Sequence, residues 1–202
     1  INSFIIEKLK FIDNTNIQFK PKDVILFGFG RIGRLLAREL MSQKGKGEQL
    51  RLRVIVLRNI DDQSIIKRAS LLSTDSVHGK FPGTVITDLE NKALIINGHS
   101  VKLVKASNPE EVDYTKYEIN NALLIDNTGV YRDKKALTRH LKAAGVSKVL
   151  LTAPGNKIPN IVFGANHLNY DINSFDIFSA ASCTTNAITP ILKVVNNELG
   201  IE

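Results

Sequence analysis

Two groups of residues have types and spacings suited to chemistry. The first is Gly28-Phe29-Gly30-Arg31-Ile32-Gly33, a G-x-G-x-x-G turn. It follows a short apolar, β-branched run, Val24–Phe27, and opens Arg31–Met41, where Ile32, Leu35, Leu36 and Leu40 recur at helical spacing. Between strand and helix, each glycine has a use. Gly28 permits the tight turn, Gly30 lets backbone approach a pyrophosphate, and Gly33 lets the helix pack on the strand. The helix start then offers unpaired N–H groups and a positive dipole end to phosphate. The bland alternative is three glycines that only make a turn. The ribose reader is less clear. A NAD site carries Asp or Glu at the end of the second strand, whereas Arg there suits the 2′-phosphate of NADP. Here that strand ends Leu57-Arg58-Asn59, with Asp61 and Asp62 further on. The residues therefore allow NAD or NADP, and Arg58 also reads as an ordinary loop charge.

The second group surrounds the one cysteine. Ser182-Cys183-Thr184-Thr185-Asn186 lies where a strand gives way to a helix. A helix N-terminus favours negative charge, and the flanking hydroxyls can cap it or hold an anion. A lone cysteine is more commonly a small buried hydrophobe, so Cys183 reads both as a nucleophile and as packing. His78, His99, His140 and His167 read as surface or structurally bonded residues. No metal site is expected.

These residues need elements to position them. Strands are expected at Val24–Phe27, Leu50–Leu57, Gly83–Asp88, Ala93–Ile96, Val101–Lys105, Leu123–Asp126, Lys148–Thr152, Asn160–Phe163 and Asp176–Ala180. Asn97-Gly98 marks a hairpin turn. Helices are expected at Arg31–Met41, Ser64–Leu72, Asp133–Ala144 and Cys183–Leu199, with Gly145 stopping the third and Pro190 kinking the fourth. Lys44–Gln49 reads as a Gly-rich loop and Asp75–Pro82 as another. Such alternation predicts an α/β fold, a Rossmann-type doubly wound and mostly parallel sheet. Residues 1–22 read as an N-terminal extension, 23–181 as the NAD(P)-binding domain, and 182–202 as the truncated start of a catalytic domain.

Composition bounds the partners. The 202 residues are 43% hydrophobic and 23% charged, an ordinary globular mixture. No apolar run approaches the ~20 residues of a membrane span, and no secretory leader pattern opens the chain. A single cysteine cannot form an internal disulfide, which suggests an intracellular, cytoplasmic setting. The net charge of +7 falls in the first third: residues 1–68 hold 14 Lys/Arg against 7 Asp/Glu. A basic region attracts phosphate-bearing partners of any size. A nucleic-acid-binding module is thus the reading from another class, but the sequence has no aromatic-rich strand motif in its favour. The chain opens on Ile1 and stops in a helical pattern at Glu202, so it reads as part of a longer protein.

The sequence resembles phosphorylating glyceraldehyde-3-phosphate dehydrogenase from about Val24 to Glu202. The motifs are Gly-Phe-Gly-Arg-Ile-Gly-Arg at 28–34, Asp-Ser-Val-His-Gly-Lys-Phe at 75–81, Asn-Thr-Gly at 127–129, Leu-Thr-Ala-Pro at 151–154, Phe-Gly-Ala-Asn at 163–166 and Ala-Ser-Cys-Thr-Thr-Asn at 181–186. The resemblance implies that Cys183 is the nucleophile, forming a thiohemiacetal and then a thioester that inorganic phosphate cleaves. It implies that Ser182 and Thr184 contact substrate or phosphate. Arg31 and Ile32 would cradle the pyrophosphate, and Thr128, Gly129 and Thr152 would lie by the ribose and nicotinamide. It further implies glyceraldehyde 3-phosphate as substrate, NAD as the usual cofactor and a homotetramer. Erythrose 4-phosphate is the close alternative substrate, and a cysteine-dependent semialdehyde dehydrogenase a poorer match. Three departures stand out. Arg58-Asn59 replaces the family's Asn-Asp pair. Ser107 stands where a basic adenine-side residue is usual. The family's catalytic histidine, substrate-phosphate loop and most of its second domain fall past Glu202.

Overall fold

The computed structural model describes residues 21–43 and 49–201. Most of the expected 1–22 extension and nearly all of the Lys44–Gln49 loop lie outside the described residues.

Among the described residues, ten strands and four α-helices follow in order. They are β1 (Lys22–Phe27), α1 (Arg31–Ser42), β2 (Leu50–Leu57), α2 (Asp62–Ser73), β3 (Thr74–Asp75), β4 (Gly79–Lys80), β5 (Val85–Asp88), β6 (Ala93–Ile96), β7 (His99–Lys105), β8 (Ala122–Asp126), α3 (Lys134–Leu141), β9 (Val146–Leu151), β10 (Ile177–Ser179) and α4 (Cys183–Leu199). Eight strands form one sheet in the order β10-β9-β8-β1-β2-β7-β6-β5, while β3 and β4 pair separately. The six strands from β10 to β7 run parallel. β5, β6 and β7 form an antiparallel meander at one edge. From β1 the chain winds outward through β2 and β7, then returns to the other side of β1 as β8. That reversal opens a crevice at the carboxyl ends of β1 and β8, where doubly wound sheets take ligands.

The expected doubly wound sheet is present, and its core explains it. Val24, Ile25 and Leu26 are wholly buried, as a strand covered on both faces requires. Val24 and Leu26 pack with α1 and α2 through Ala37, Leu40, Met41, Ile65 and Leu72. Ile25 and Phe27 face the other way, against Tyr114, Leu137 and Val149. Burying each such aliphatic contributes about 1.5–3 kcal/mol. Along β2, Leu52 and Ile55 share one layer and Val54 and Val56 the other. The slip in alternation falls at a bulge: Val24 pairs with Leu52 but Ile25 with Val54, so Arg53 is the extra residue.

Asn160–Phe163 is not a strand. Only an isolated bridge joins Asn160 to Ser179. Side-chain amides hold this loop instead: Asn160 Oδ1 accepts from Gly155 N at 2.9 Å, and Asn166 Oδ1 from Val162 N at 2.7 Å. Such local bonds give the backbone an alternative to a ladder. α3 ends at Leu141, short of Ala144, because the chain tightens there; Lys142 N donates to Arg139 O at 3.2 Å. α4 runs through Pro190 as one helix.

Candidate functional site

A cleft of 460 Å³ opens at the carboxyl ends of β1, β2, β7 and β8, lined by Gly28, Gly30, Arg34, Leu57, Arg58, Arg68, Leu71, Ser107, Asn127 and Thr128 among others. Its size suits a small-molecule or cofactor site. The glycine turn is built as its spacing suggests. Gly28 has φ +91°, and a Cβ there would sit 3.0 Å from Thr128 Cγ2. A Cβ on Gly33 would sit 2.7 Å from the Gly28 carbonyl oxygen, so Gly33 closes helix onto turn. Gly30 differs: a Cβ there meets no atom within 4 Å. It borders open space on the cleft and caps α1 without a side-chain bond, leaving first-turn N–H groups for an anion.

The opposite wall hangs on Asp126, at the end of β8. Its Oδ1 accepts from Thr128 N and Thr128 Oγ1, both at 2.7 Å. Oδ2 meets His140 Nε2 at 2.8 Å, with both side chains fully buried. Its carbonyl accepts from Thr152 N at 3.1 Å and Thr152 Oγ1 at 3.0 Å. One residue thus fixes three places: its carboxylate holds the Thr128 turn and His140 on α3, and its carbonyl holds Thr152 just past β9. Beside Arg34, Asp75 Oδ1 accepts from Val77 N and His78 N, while Oδ2 lies 3.6 Å from both Arg31 and Arg34. The His78 and Val77 backbone N–H groups, helped by the His78 ring and Arg31, hold the Asp75 carboxyl well below the usual range despite its burial.

Gly28, Gly30, Arg58 and Thr128 meet in the cleft, with Ser107. Gly33, Arg31, Ile32, Asn59, Gly129 and Thr152 do not line it. Arg31 turns to Asp75 and to Ser76 Oγ at 3.1 Å. Asn59 Nδ2 donates to Asp61, whose Oδ1 caps α2 by accepting from Ser64 N at 2.7 Å. Asp126, His140 and Arg68 lie outside every motif, while Arg34 and Asn127 lie within motifs that give them no role of their own. The first two are 14 residues apart and meet only through β8 and α3.

Cys183 is exposed, not packed. It is the first residue of α4, and Ser182 caps that helix, its Oγ accepting from Thr185 N at 3.0 Å. Ser182 Oγ also lies 3.0 Å from Thr184 Oγ1. Ala181 makes the turn out of β10 with φ +59°, a strained conformation costing about 1 kcal/mol. Its N–H donates to Ser179 Oγ at 2.9 Å. Cys183 therefore leaves the sheet at the carboxyl edge, the edge that carries the cleft.

Five buried side-chain polar atoms among the described residues lack a partner, and three of them, Arg34 Nε, Arg68 Nε and Asn127 Oδ1, belong to residues lining this cleft. Orphaned polar atoms gathered in one cleft, beside open space at Gly30, fit an absent polar ligand. Sheet reversal, glycine turn and cleft together define a Rossmann-type dinucleotide-binding domain. The sequence pattern described as "Glyceraldehyde 3-phosphate dehydrogenase, NAD binding domain" matches residues 22–134. The chain belongs to the glyceraldehyde 3-phosphate dehydrogenase family, and the cofactor of this domain is NAD. It is 54% identical over 181 residues to a "Glyceraldehyde-3-phosphate dehydrogenase-like protein" of Pseudomonas aeruginosa (strain UCBPP-PA14), covering 89% of this chain and 39% of that protein. It is 40% identical over 179 residues to "Glyceraldehyde-3-phosphate dehydrogenase 2" of Nostoc sp., covering 88% of this chain and 50% of that one. Against "Glyceraldehyde-3-phosphate dehydrogenase 1" of Kluyveromyces lactis the identity is 36%, over 89% of this chain and 50% of the relative. The chain thus spans two-fifths to half of the length of these relatives.

Proposed function

We propose that the whole protein is a phosphorylating aldehyde dehydrogenase that converts glyceraldehyde 3-phosphate and inorganic phosphate to 1,3-bisphosphoglycerate. The observation that carries this is Cys183, exposed at the capped start of α4 on the sheet edge that bears the dinucleotide cleft. The sulfur of Cys183 attacks the aldehyde carbon, giving a thiohemiacetal held at the enzyme. Bound in the cleft, the nicotinamide cofactor supplies hydride acceptance. Loss of that hydride, with the hydroxyl proton, leaves a thioester on Cys183. Phosphate then attacks the thioester carbonyl, releasing the acyl phosphate and freeing the thiolate.

The candidate residues other than Arg58 and Asn59 have a place in this reading. Gly28 and Gly30 receive the pyrophosphate, with Gly33 holding α1 close behind them and Arg31 and Ile32 supplying first-turn N–H groups. Thr128, oriented by Asp126, its neighbour Gly129, and Thr152, tied to the same residue, border the ribose and nicotinamide. Ser182 and Thr184 offer hydroxyls to substrate or phosphate beside the sulfur. In this reading the proton-accepting histidine belongs to the part of the relatives' length that this chain does not span, and the working enzyme is a cytoplasmic homotetramer. Among the described residues, no helix is long and apolar enough to cross a membrane.

The test compares two lengths of chain. The 202-residue chain should be alkylated at Cys183 by iodoacetamide and show no dehydrogenase turnover. The full-length protein should turn over and lose activity on Cys183→Ser. Turnover by the shorter chain would overthrow the division of labour, and an active serine variant would overthrow the nucleophile.

A further inference from the structure

The cleft carries an excess of one charge. Arg34, Arg58 and Arg68 line it, and no Asp or Glu does among the described residues. Arg34 is engaged, with Asp75 at 3.6 Å and the Phe29 carbonyl at 3.5 Å. Arg58 and Arg68 are not: among the described residues neither enters an ion pair or a side-chain hydrogen bond. Arg68 Nε is buried and without a partner. These residues surround one place. Leu57 ends β2 and Arg58 follows it, Arg68 and Leu71 come from α2, and Ser107 follows β7. In a doubly wound dinucleotide fold, the end of the second strand is where the adenosine ribose is read.

The acidic reader is missing from that place for a structural reason. Asn59 holds the position after Arg58 and binds Asp61, while Asp61 is occupied as the cap of α2. Neither lines the cleft. A carboxylate there would accept from a ribose 2′-hydroxyl and repel a 2′-phosphate. Two unpaired guanidiniums do the opposite, since a phosphate monoester brings nearly two negative charges and acceptor oxygens matched to the guanidinium fork.

We propose that Arg58 and Arg68 form a 2′-phosphate subsite, so that this domain takes NADP as well as NAD. Arg68 is the specific element. It reaches the subsite from α2, outside any glycine motif, and its buried, unpartnered Nε gains a hydrogen-bond acceptor when the 2′-phosphate binds. Ser107, which also lines the cleft, adds no charge to it, its backbone N–H already bonded to Glu111 at 2.8 Å.

The inference rests on the cleft binding a dinucleotide at all, and titration separates the two claims. NAD and NADP are titrated separately into the 202-residue chain and into its Arg58→Glu and Arg68→Met variants. The ratio of NADP to NAD affinity should fall at least tenfold in each variant. Arg58 is exposed, so Arg58→Glu keeps the test valid if Arg68→Met fails to fold. A ratio that moves less than threefold in the folded variants, with NAD still bound, overturns the subsite and leaves the NAD site standing. Failure of the parent chain to bind either dinucleotide overturns both.

Discussion

Asp75 shows how much one side chain organises beside Arg34, which lines the cleft. It is 5% exposed yet ionised, because two backbone N–H groups and the His78 ring bond one oxygen and two arginines from the start of α1 lie near the other. A carboxyl whose folded pKa is depressed contributes stability above the unfolded value, about 3.9, and loses it as pH falls through the folded value. The stability difference between the unmutated chain and Asp75→Asn should therefore be constant above about pH 5 and shrink steadily below about pH 4. Urea unfolding of both proteins at a series of pH values measures it. A difference that stays flat down to pH 2.5 would show that the bonds to Asp75 do not depend on its charge. The sequence marks Asp75 only as the first residue of a motif, since neither its burial nor its contact with Arg31 and Arg34 follows from local spacing.

At the scale of elements, legibility tracked how local the determining forces are. β1, β2 and β8 each contain an unbroken apolar run, Val24–Phe27, Val54–Leu57 and Ala122–Ile125, and α1 follows a turn whose glycines are needed for positive φ or close approach, so each could be placed from its own residues. Asn160–Phe163 failed because Asn160 and Asn166 satisfy its backbone from their side chains, a competition that an apolar pattern does not reveal. The Asp126–His140 pair, and Arg68 in the cleft, exist only after α2 and α3 pack on the sheet. α4 is the least supported element: none of its described residues is buried, and Ile188, Ile191, Leu192 and Val194 are all substantially exposed. Pro190 also lacks the N–H that would bond the Asn186 carbonyl, a defect worth about 3 kcal/mol in a helix interior. With so little tertiary support, Pro190→Ala should slow amide exchange across residues 187–195 at least tenfold. Unchanged exchange would mean that α4 is held by forces other than its own ladder.

For the whole molecule, the sheet reversal and the glycine turn converge on one cleft, and Cys183 starts α4 on the same sheet edge. The chain is thus an NAD-binding domain, and the proposed nucleophile, Cys183, starts on the edge of its sheet that carries the cleft. Everything in that account depends on NAD lying against Gly30. Because a Cβ at Gly30 meets nothing within 4 Å, Gly30→Val should fold normally and obstruct only the ligand. Calorimetric titration of NAD into the 202-residue chain and into Gly30→Val tests this directly. The variant should bind at least tenfold more weakly, a loss of about 1.4 kcal/mol or more; equal affinity in two folded proteins would contradict the account.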